Sequence, residues 1–349
     1  PPRIRRSSDH RIIGVSTILC AVPAFKSNDV ESNELEADEV AFLICVEANR
    51  LEPQARLLCE SIRHVTGRYR RAPIFAVSPR PRLALGRQAR RELEALDVDY
   101  VVASLNETSS PYGSINRIVA GAWAEEHVER PYLVVLDTDT VWVGEPSFPR
   151  ADVAVRPVDL KGSASCGPGD PFDPYWLRLC QFAGLDPGAM PYLETTVDRG
   201  RIRASYNGGF AVVRRELGIL RRTADIFERS LTEDLRPRRG TELDILASTG
   251  FVGRDASEFW GASQAALAVA IWSSTSDVRV LDERYNIPLH LLTSPERTWP
   301  TGPDFEPILL HYHYLGERRY QEQFAGALGR VACPPAAQRW ILDRLPYFD

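Results

Sequence analysis

The feature that most constrains this chain is a fourfold alternation of apolar runs and amphipathic segments between residues 40 and 136. The first run, Val40 to Val46, contains no polar residue, which is typical of a strand buried on both faces of a parallel sheet. The segment that follows has apolar residues at helical spacing and ends at Gly67. The same pattern predicts further strands at 72–77, 100–102 and 132–136, and helices at 87–96 and 115–127. The alternation predicts an α/β fold: a doubly wound, mostly parallel central sheet with helices on both faces.

The pattern changes after residue 150. Residues 158–200 are rich in Gly, Pro, Asp and aromatic residues, so we expect a long substrate-facing excursion there. Its aromatic residues are expected either to line an acceptor site or to form a satellite core. Beyond it the sequence predicts a strand at 207–213, helices at 214–230, 258–272 and 334–345, and short strands at 278–281 and 307–313.

These predictions divide the chain into an N-terminal arm or leader (1–38), a catalytic domain (39–316) and a C-terminal helical tail (317–349). Within the catalytic domain we expect the nucleotide-binding half at 39–150 and the half for sugar and acceptor at 151–316. No G-x-G-x-x-G follows the first strand and no G-x-x-x-x-G-K-S/T occurs, which argues against a dinucleotide enzyme and a P-loop NTPase.

Composition narrows the partners. The net charge of -5 provides no basic excess to displace counterions, so nucleic acid is not expected as a partner. Lys26 and Lys161 are the only lysines among 42 basic residues. Six scattered cysteines without a C-x-x-C pair favour a reduced, cytoplasmic protein. No apolar run reaches the roughly 18 residues that a transmembrane helix needs, so no such segment is predicted, and peripheral attachment to a membrane stays open.

Two carboxylates, Asp137 and Asp139, follow the strand at 132–136 and are separated only by Thr138. Oxygen ligands of this kind suit Mg²⁺ or Mn²⁺, which bridge readily to a diphosphate. A turn or helix-cap pair is the alternative. Because nucleotides bind at the carboxyl ends of parallel strands, the position favours a metal site.

Two further segments carry candidate ligands. The apolar run at 308–310 leads to His311 and His313, whose alternate spacing lets both imidazoles face one metal, although a structural strand explains them too. A zinc site is less favoured, because no third nitrogen or sulfur ligand stands at suitable spacing. Asn207 precedes Gly208 and Gly209, and paired glycines indicate close approach of a backbone or a ligand, or else a bulged hairpin.

These three motifs resemble those of the retaining GT-A-fold glycosyltransferases of the glycogenin and bacterial galactosyltransferase type. The resemblance covers about 40–316, with the motifs in the expected order. It implies that Asp137 and Asp139 form the D-x-D, and that His313, in His-Tyr-Leu-Gly, is the third metal ligand in preference to His311. It also implies that Thr138, Gly208 and Gly316 contact the donor.

The resemblance further implies that Asn207 and Gln264 hold the donor sugar. The family carries Asp-Gln on this helix, whereas Ser263 stands here before Gln264. Arg117 is the candidate for the family's basic residue on the helix before the D-x-D, one turn farther upstream than usual. The K-P-W that commonly follows H-x-x-G is replaced by Glu-Arg-Arg-Tyr, in which Arg318 or Arg319 either takes the phosphate role or is a solvated surface arginine.

We therefore expect a hexosyltransferase that uses Mn²⁺ or Mg²⁺ and a nucleotide-sugar, with a UDP-sugar favoured, and that retains anomeric configuration. The base and ribose are expected at the end of the first strand, near Val46, Glu47, Ala48 and Asn49. The acceptor is a sugar, lipid or protein that the sequence does not identify. A nucleotidyltransferase making a nucleotide-sugar and a non-catalytic nucleotide-sugar-binding protein are the alternatives.

Overall fold

A computed structural model describes residues 33–241, 243–294, 296–302 and 304–348. Residues Glu34–Asp349 form one compact unit. Most of the predicted N-terminal arm lies outside the described residues. The last part of that arm belongs to the fold, because Leu35 is buried and Glu34 bridges to Pro149.

The described residues contain both predicted kinds of element. The strands are β1 Val40–Cys45, β2 Ile74–Ser78, β3 Val98–Val102, β4 Tyr132–Leu136, β5 Thr140–Trp142, β6 Val153–Pro157, β7 Tyr192–Glu194, β8 Arg201–Arg203, β9 Tyr206–Arg214, β10 Leu246–Ala247, β11 Gly250–Phe251, β12 Val278–Val280, β13 Ile287–Pro288 and β14 Leu309–His311. The α-helices are α1 Leu51–Val65, α2 Arg87–Glu94, α3 Ile115–His127, α4 Asp173–Ala183, α5 Ile219–Thr232, α6 Arg254–Ser257, α7 Ala262–Trp272, α8 Gln321–Arg330 and α9 Pro335–Leu342.

Seven strands form the central sheet in the order β12-β6-β9-β4-β1-β2-β3. All neighbours pair in parallel except β9, which is antiparallel to both β4 and β6. Helices flank the sheet, which confirms the predicted α/β class and is consistent with a GT-A-like fold. The four strands predicted between residues 40 and 136 match β1 to β4 to within two residues at each end, whereas β5 and β6 were not predicted.

The two faces of the sheet explain the uninterrupted apolar run of β1. Phe42 and Ile44 pack on one face with Leu58 of α1. Ala41 and Leu43 pack on the other face, in the cluster that also contains residues of α3, α5 and α7. Because successive side chains of a strand point to opposite faces, a strand covered on both sides has no position at which a polar residue is favoured.

A second, three-stranded sheet in the order β13-β14-β5 positions the candidate site. Its strand β5 begins directly after the D-x-D, and β14 pairs with it antiparallel, with His311 opposite Thr140. The backbone N–H of Tyr312 then donates to the carbonyl of Asp139 at 2.9 Å. This pairing brings residues that are more than 170 positions apart in sequence into contact.

The stretch at 158–200 is more ordered than the expected excursion. It contains α4 and the antiparallel pair β7–β8. Tyr175 and Trp176 of α4 are buried in the main core, and the indole N–H of Trp176 donates to the carbonyl of Ser163 at 2.9 Å. The Gly and Pro content concealed this helix, which begins at Asp173 with Pro174 in its first turn, a position where proline costs no hydrogen bond.

The C-terminal segment contains α8, which was not predicted, and α9, which falls within the predicted helix at 334–345. It is tied to α1 through Glu60, which accepts hydrogen bonds from Arg344 at 2.6 Å and Tyr347 at 3.0 Å. Across the described residues, none of the helices combines the length and apolar character needed to cross a membrane.

Candidate active site

The D-x-D segment lies at the carboxyl end of β4, in the tight connection to β5. The backbone N–H of Asp137 donates to the carbonyl of Gly209 at 3.0 Å, and the Thr140 hydroxyl donates to the carbonyl of Asp137 at 2.8 Å. Thr138 is buried and donates to Gln54 at 2.9 Å. These bonds hold the backbone of the segment and leave the two carboxylates to face different partners.

Asp139 faces two imidazoles. Its Oδ1 lies 3.3 Å from His311 Nε2, and its Oδ2 lies 3.7 Å from His313 Nδ1. One potential ligand atom from each of the three residues can be chosen so that all lie within 4.8 Å of one another. We call Asp139, His311 and His313 the Asp-His-His cluster. The resemblance favoured His313 over His311, and the structure brings both to the same carboxylate.

The backbone directs each imidazole. His311 is the last residue of β14 and is almost fully buried, and neither of its ring nitrogens makes a hydrogen bond to the described part of the chain. His313 begins a 3₁₀ turn with φ of 52°, a left-handed conformation that a residue with a side chain seldom adopts. The two rings stack with centroids 4.0 Å apart. Unsatisfied buried nitrogens and an unfavourable backbone are features that accumulate at functional sites.

A third imidazole, His290, extends the cluster. It lies in the 3₁₀ turn Leu289–Leu292, and its ring centroid is 3.7 Å from that of His313. Its Nδ1 is buried without a hydrogen-bond partner among the described residues. The sequence analysis missed this residue, because a single histidine between leucines carries no motif.

Burial and neighbouring charges shift the pKa values of these groups. Burial lowers the pKa of His313 to about 3, and His311 adds to the effect. Burial likewise holds the pKa of His290 well below its ordinary value. For Asp139 burial acts to raise the pKa, but His311 outweighs it and the pKa is lowered. Burial acts to lower the pKa of His311, but Asp139 outweighs it and the pKa is raised. The site therefore combines a carboxylate with two imidazoles, His290 and His313, that are held in the neutral form in which imidazoles bind metal ions, and with His311, whose Nε2 contacts the carboxylate.

Asp137 faces Arg117 of α3 instead. Arg117 Nη1 donates to both carboxylate oxygens at 2.5 Å. Arg117 Nη2 also donates to Ser263 at 3.3 Å, and the hydroxyl of Tyr112 lies 3.0 Å from the same Ser263 oxygen. A Cβ at Gly208 would collide with the Arg117 guanidinium. Gly208 is therefore required by the close approach of the Arg117 side chain. The sequence had indicated the close approach of a backbone or a ligand instead.

Asn207 is held by a buried acid that the sequence analysis did not single out. Its amide nitrogen donates to Asp159 at 2.7 Å, and its amide oxygen accepts from the N–H of Gly209 at 2.9 Å. Asp159 follows β6 and also accepts from Thr196 at 2.7 Å. Burial raises the pKa of Asp159. This network fixes the orientation of the Asn207 amide beside the cleft.

A cleft passes over the cluster and has two halves. The β1 half, of about 360 Å³, is lined by residues that include Cys45, Glu47, Arg80, Asn116 and Thr138. The β6 half, of about 370 Å³, is lined by residues that include Asp159, Lys161, Asn207, Arg238 and Gln264. Both halves share six lining residues: Tyr112, Ser114, Arg117, Asp137, Trp260 and His313. The Asp-His-His cluster and the Arg117–Asp137 pair therefore stand where the two halves meet.

Not all predicted residues reach the cleft. Of the four residues predicted after β1, only Glu47 lines the cleft as described, and Arg80 and Asn116 both donate to the Glu47 carboxylate. Val46 is buried in the core, and neither Ala48 nor Asn49 is among the described residues that line either half. Gly316 likewise stands outside both linings. A Cβ there would meet the ring of Phe348 at 2.6 Å, so packing alone accounts for this glycine.

The family comparison agrees with the chemistry of this site. A family model described as a Rhodobacterales glycosyltransferase domain matches residues 42–236, more than half of the chain. The chain belongs to this family and is a glycosyltransferase. A search among curated proteins found no match. The matched residues include the D-x-D and Asn207, whereas Gln264 and all three imidazoles of the site follow the matched region.

Proposed function

We propose that the protein transfers a sugar from a nucleoside-diphosphate sugar, with a UDP-sugar favoured, in a metal-dependent reaction that retains anomeric configuration. One observation carries this proposal: the Asp-His-His cluster and the Arg117–Asp137 pair stand at the junction of a two-part cleft. A donor in one half and an acceptor in the other would place the bond to be broken at that junction.

The residues of the cluster fit a divalent cation. His311 has two buried nitrogens without hydrogen-bond partners among the described residues, and a metal would satisfy one of them. Imidazole ligands are typical of transition metals, so Mn²⁺ is favoured over Mg²⁺. The proposed ligands are Asp139, His311 and His313. When bound, the metal would neutralise charge on the departing nucleoside diphosphate.

For Asp137 the contacts support a role different from the one that the D-x-D resemblance implies. Both of its oxygens accept from Arg117, so its negative charge orients a guanidinium at the junction. We propose that Arg117 binds the diphosphate or the donor sugar and that Asp137 positions it. Guanidinium groups suit this task because they bind phosphate oxygens bidentately.

The β1 half is the proposed donor site. Its volume of about 360 Å³ lies in the range of small-ligand pockets, and it opens at the carboxyl ends of β1 and β4. Glu47, held by Arg80, offers carboxylate oxygens to a ribose or a base. Asn207 and Gln264 line the β6 half near the junction and are proposed to hold the donor sugar.

Retention is proposed because Gln264 and His313 match the retaining pattern. An inverting enzyme needs a carboxylate base on the acceptor side. Asp255 and Glu258 precede the helix that carries Gln264. Glu258 is engaged by Arg236, however, and neither acid lines the described β6 half. Asp244 does line it and is exposed, so Asp244→Asn tests the inverting alternative. Proton NMR of the first product formed gives the anomeric outcome directly.

The metal and donor proposal is tested by the binding and hydrolysis of UDP-sugars. We expect UDP to raise the melting temperature only when Mn²⁺ is present, because a ligand that binds the folded state alone stabilises it. His311→Ala and Asp139→Asn should abolish this dependence and lower hydrolysis by roughly 10²-fold or more. His127→Ala is the matched control, since His127 is exposed at the end of α3. Metal-independent binding, or full hydrolysis by Asp139→Asn, would refute the assignment.

A further inference from the structure

Arg238 is a cation in the β6 half of the cleft that has no counter-charge among the described residues. Its side chain is half-buried and lines the cleft, and no carboxylate pairs with it in the described part of the chain. Its Nε is fully buried and lacks a hydrogen-bond partner there. Its neighbours differ, because Arg236 pairs with Glu258 and Arg239 pairs with Asp234.

The segment that carries Arg238 is firmly held. The N–H of Arg238 donates to the carbonyl of Glu258 at 3.1 Å, and its carbonyl accepts from Thr241 at 3.0 Å. The two carboxylate oxygens of Glu258 are taken by Arg236 at 2.7 Å and by the N–H of Gly240 at 2.8 Å. The carboxylate of Glu258 is thus bonded to the backbone and to another arginine, and it does not pair with the guanidinium of Arg238.

A second cation stands close by. The ring of Phe172 has Lys161 Nζ 4.9 Å from its centroid and the Arg238 guanidinium 5.1 Å from it. Lys161 pairs with Asp170 at 2.9 Å, and it is one of only two lysines in the chain. Contact with a ring face stabilises each cation only modestly. Phe172 therefore positions the cations without neutralising them.

The acidic groups of the β6 half do not compensate Arg238. Asp159 accepts from Thr196 and Asn207, and Asp137 accepts from Arg117. Asp244 is exposed to solvent and makes no ion pair among the described residues. Removing a guanidinium from water without a partner costs free energy, and an anionic ligand would recover it through charge-assisted hydrogen bonds.

We propose that the acceptor carries an anionic group, a carboxylate or a phosphate, which Arg238 binds with support from Lys161. This inference rests on the proposed function, because it takes the β6 half as the acceptor site. Trp260, which is only partly buried, lines the same half and provides a surface on which a sugar ring packs. The acceptor class is then an acidic or phosphorylated glycan or glycolipid.

The test compares three simple sugars as ligands of the full chain saturated with UDP and Mn²⁺, which fill the nucleotide part of the proposed donor site. Calorimetric titrations use methyl glucoside as the neutral probe, methyl glucuronide as the carboxylate probe and glucose 6-phosphate as the phosphate probe. We expect at least one anionic probe to bind about tenfold or more tightly than the neutral one, the minimum for a charged hydrogen bond of about 1.5–3 kcal/mol. The better anionic probe identifies the group.

Arg238→Gln should reduce the affinity of that probe to the level of the neutral sugar and leave UDP binding unchanged. Arg239→Gln, on the same segment but paired with Asp234 and outside the described cleft lining, should keep the preference. Arg238→Lys retains the charge and should keep a weaker preference for the anionic probe. This variant also keeps the test valid if Arg238→Gln fails to fold. Equal binding of all three probes, no binding of any, or a preference that survives in Arg238→Gln overturns the proposal. If UDP fails to bind wild-type protein with Mn²⁺, the proposed function fails instead, and the titrations are read on the protein alone.

Discussion

Gly209→Ala probes the Asp-His-His cluster through a residue that carries no ligand. Gly209 lies in β9, where its backbone suits any residue, so the only effect of alanine is the added Cβ. That atom would stand 2.5 Å from Cε1 and 2.8 Å from Nδ1 of His311. The glycine is therefore required by the imidazole packed against it, and the substitution pushes directly on a proposed metal ligand.

The magnitude follows from the contact distances. Ordinary Cβ contacts lie at about 3.4 Å or more, so the ring has to retreat by about 0.9 Å. His311 is almost fully buried and stacks on His313, so it has little room to move. Metal–ligand distances tolerate only about ±0.2 Å. We expect Mn²⁺ affinity to fall by about 10–100-fold, the range for disturbing groups that orient ligands. Overpacking should also lower the free energy of unfolding by about 1–3 kcal/mol.

The assay is a melting-temperature titration with Mn²⁺ in the presence of UDP, paired with urea denaturation of the apoprotein. Gly326→Ala is the matched control, because a Cβ at Gly326 of α8 meets nothing within 4 Å. In a helix this change should stabilise by about 0.5–1 kcal/mol. If Gly209→Ala titrates with Mn²⁺ like wild type and loses no stability, His311 is neither tightly packed nor a ligand.

Three further predictions test other parts of the structure. Arg117→Gln leaves Asp137 without its partner and should lower the free energy of unfolding by about 1–3 kcal/mol, because the pair is only partly exposed. The variant should also lose UDP-sugar turnover. Urea denaturation checks the first result and a turnover assay checks the second. Glu125→Ala removes the acceptor of the two N–H groups that begin α5 and should cost about 1–3 kcal/mol in the same denaturation assay; a change below about 0.5 kcal/mol contradicts this. Burial acts to raise the pKa of Glu60, but the hydrogen bonds from Arg344 and the other donors outweigh it, so the folded pKa is lowered. The Glu60 carboxylate therefore stabilises the fold above its ordinary pKa of 4.5, and this contribution is lost as the pH falls through the folded pKa. Denaturation between pH 7 and 3 should show that Glu60→Gln loses less stability in acid than wild type does.

The elements that the sequence predicted well are those whose pattern has a single physical cause. The run that became β4 is apolar throughout because both faces of the sheet are covered. Strand β6 was missed because Arg156 interrupts its apolar pattern with a charged residue and Pro157 is a residue that disfavours strands. In the structure Nη1 of Arg156 donates to the carbonyl of Leu281, and Pro157 lies at the end of the strand, where the register shifts.

The site was readable only where its residues stand in short motifs. The D-x-D and the two histidines were found because spacing along one strand predicts a shared face. Asp159 and His290 were not found, since each is a single residue whose position depends on long-range packing. The sequence did not predict that Asp137 pairs with Arg117. Whether a carboxylate faces a metal site or a guanidinium depends on distances that the fold sets.

The position of the proposed metal ligands along the chain also bears on how the enzyme is assembled. The family match ends at residue 236, whereas His290, His311 and His313 lie beyond it. The matched region supplies Asp139, but His311 reaches it only because β14 pairs with β5 in the second sheet. The last residues of the chain add to this arrangement, since Phe348 packs on Gly316 at the end of the His313 turn. The proposed metal centre therefore forms only after the C-terminal third has folded onto the D-x-D, so a shortened chain ending near residue 236 would carry the motif without the ability to hold the cation.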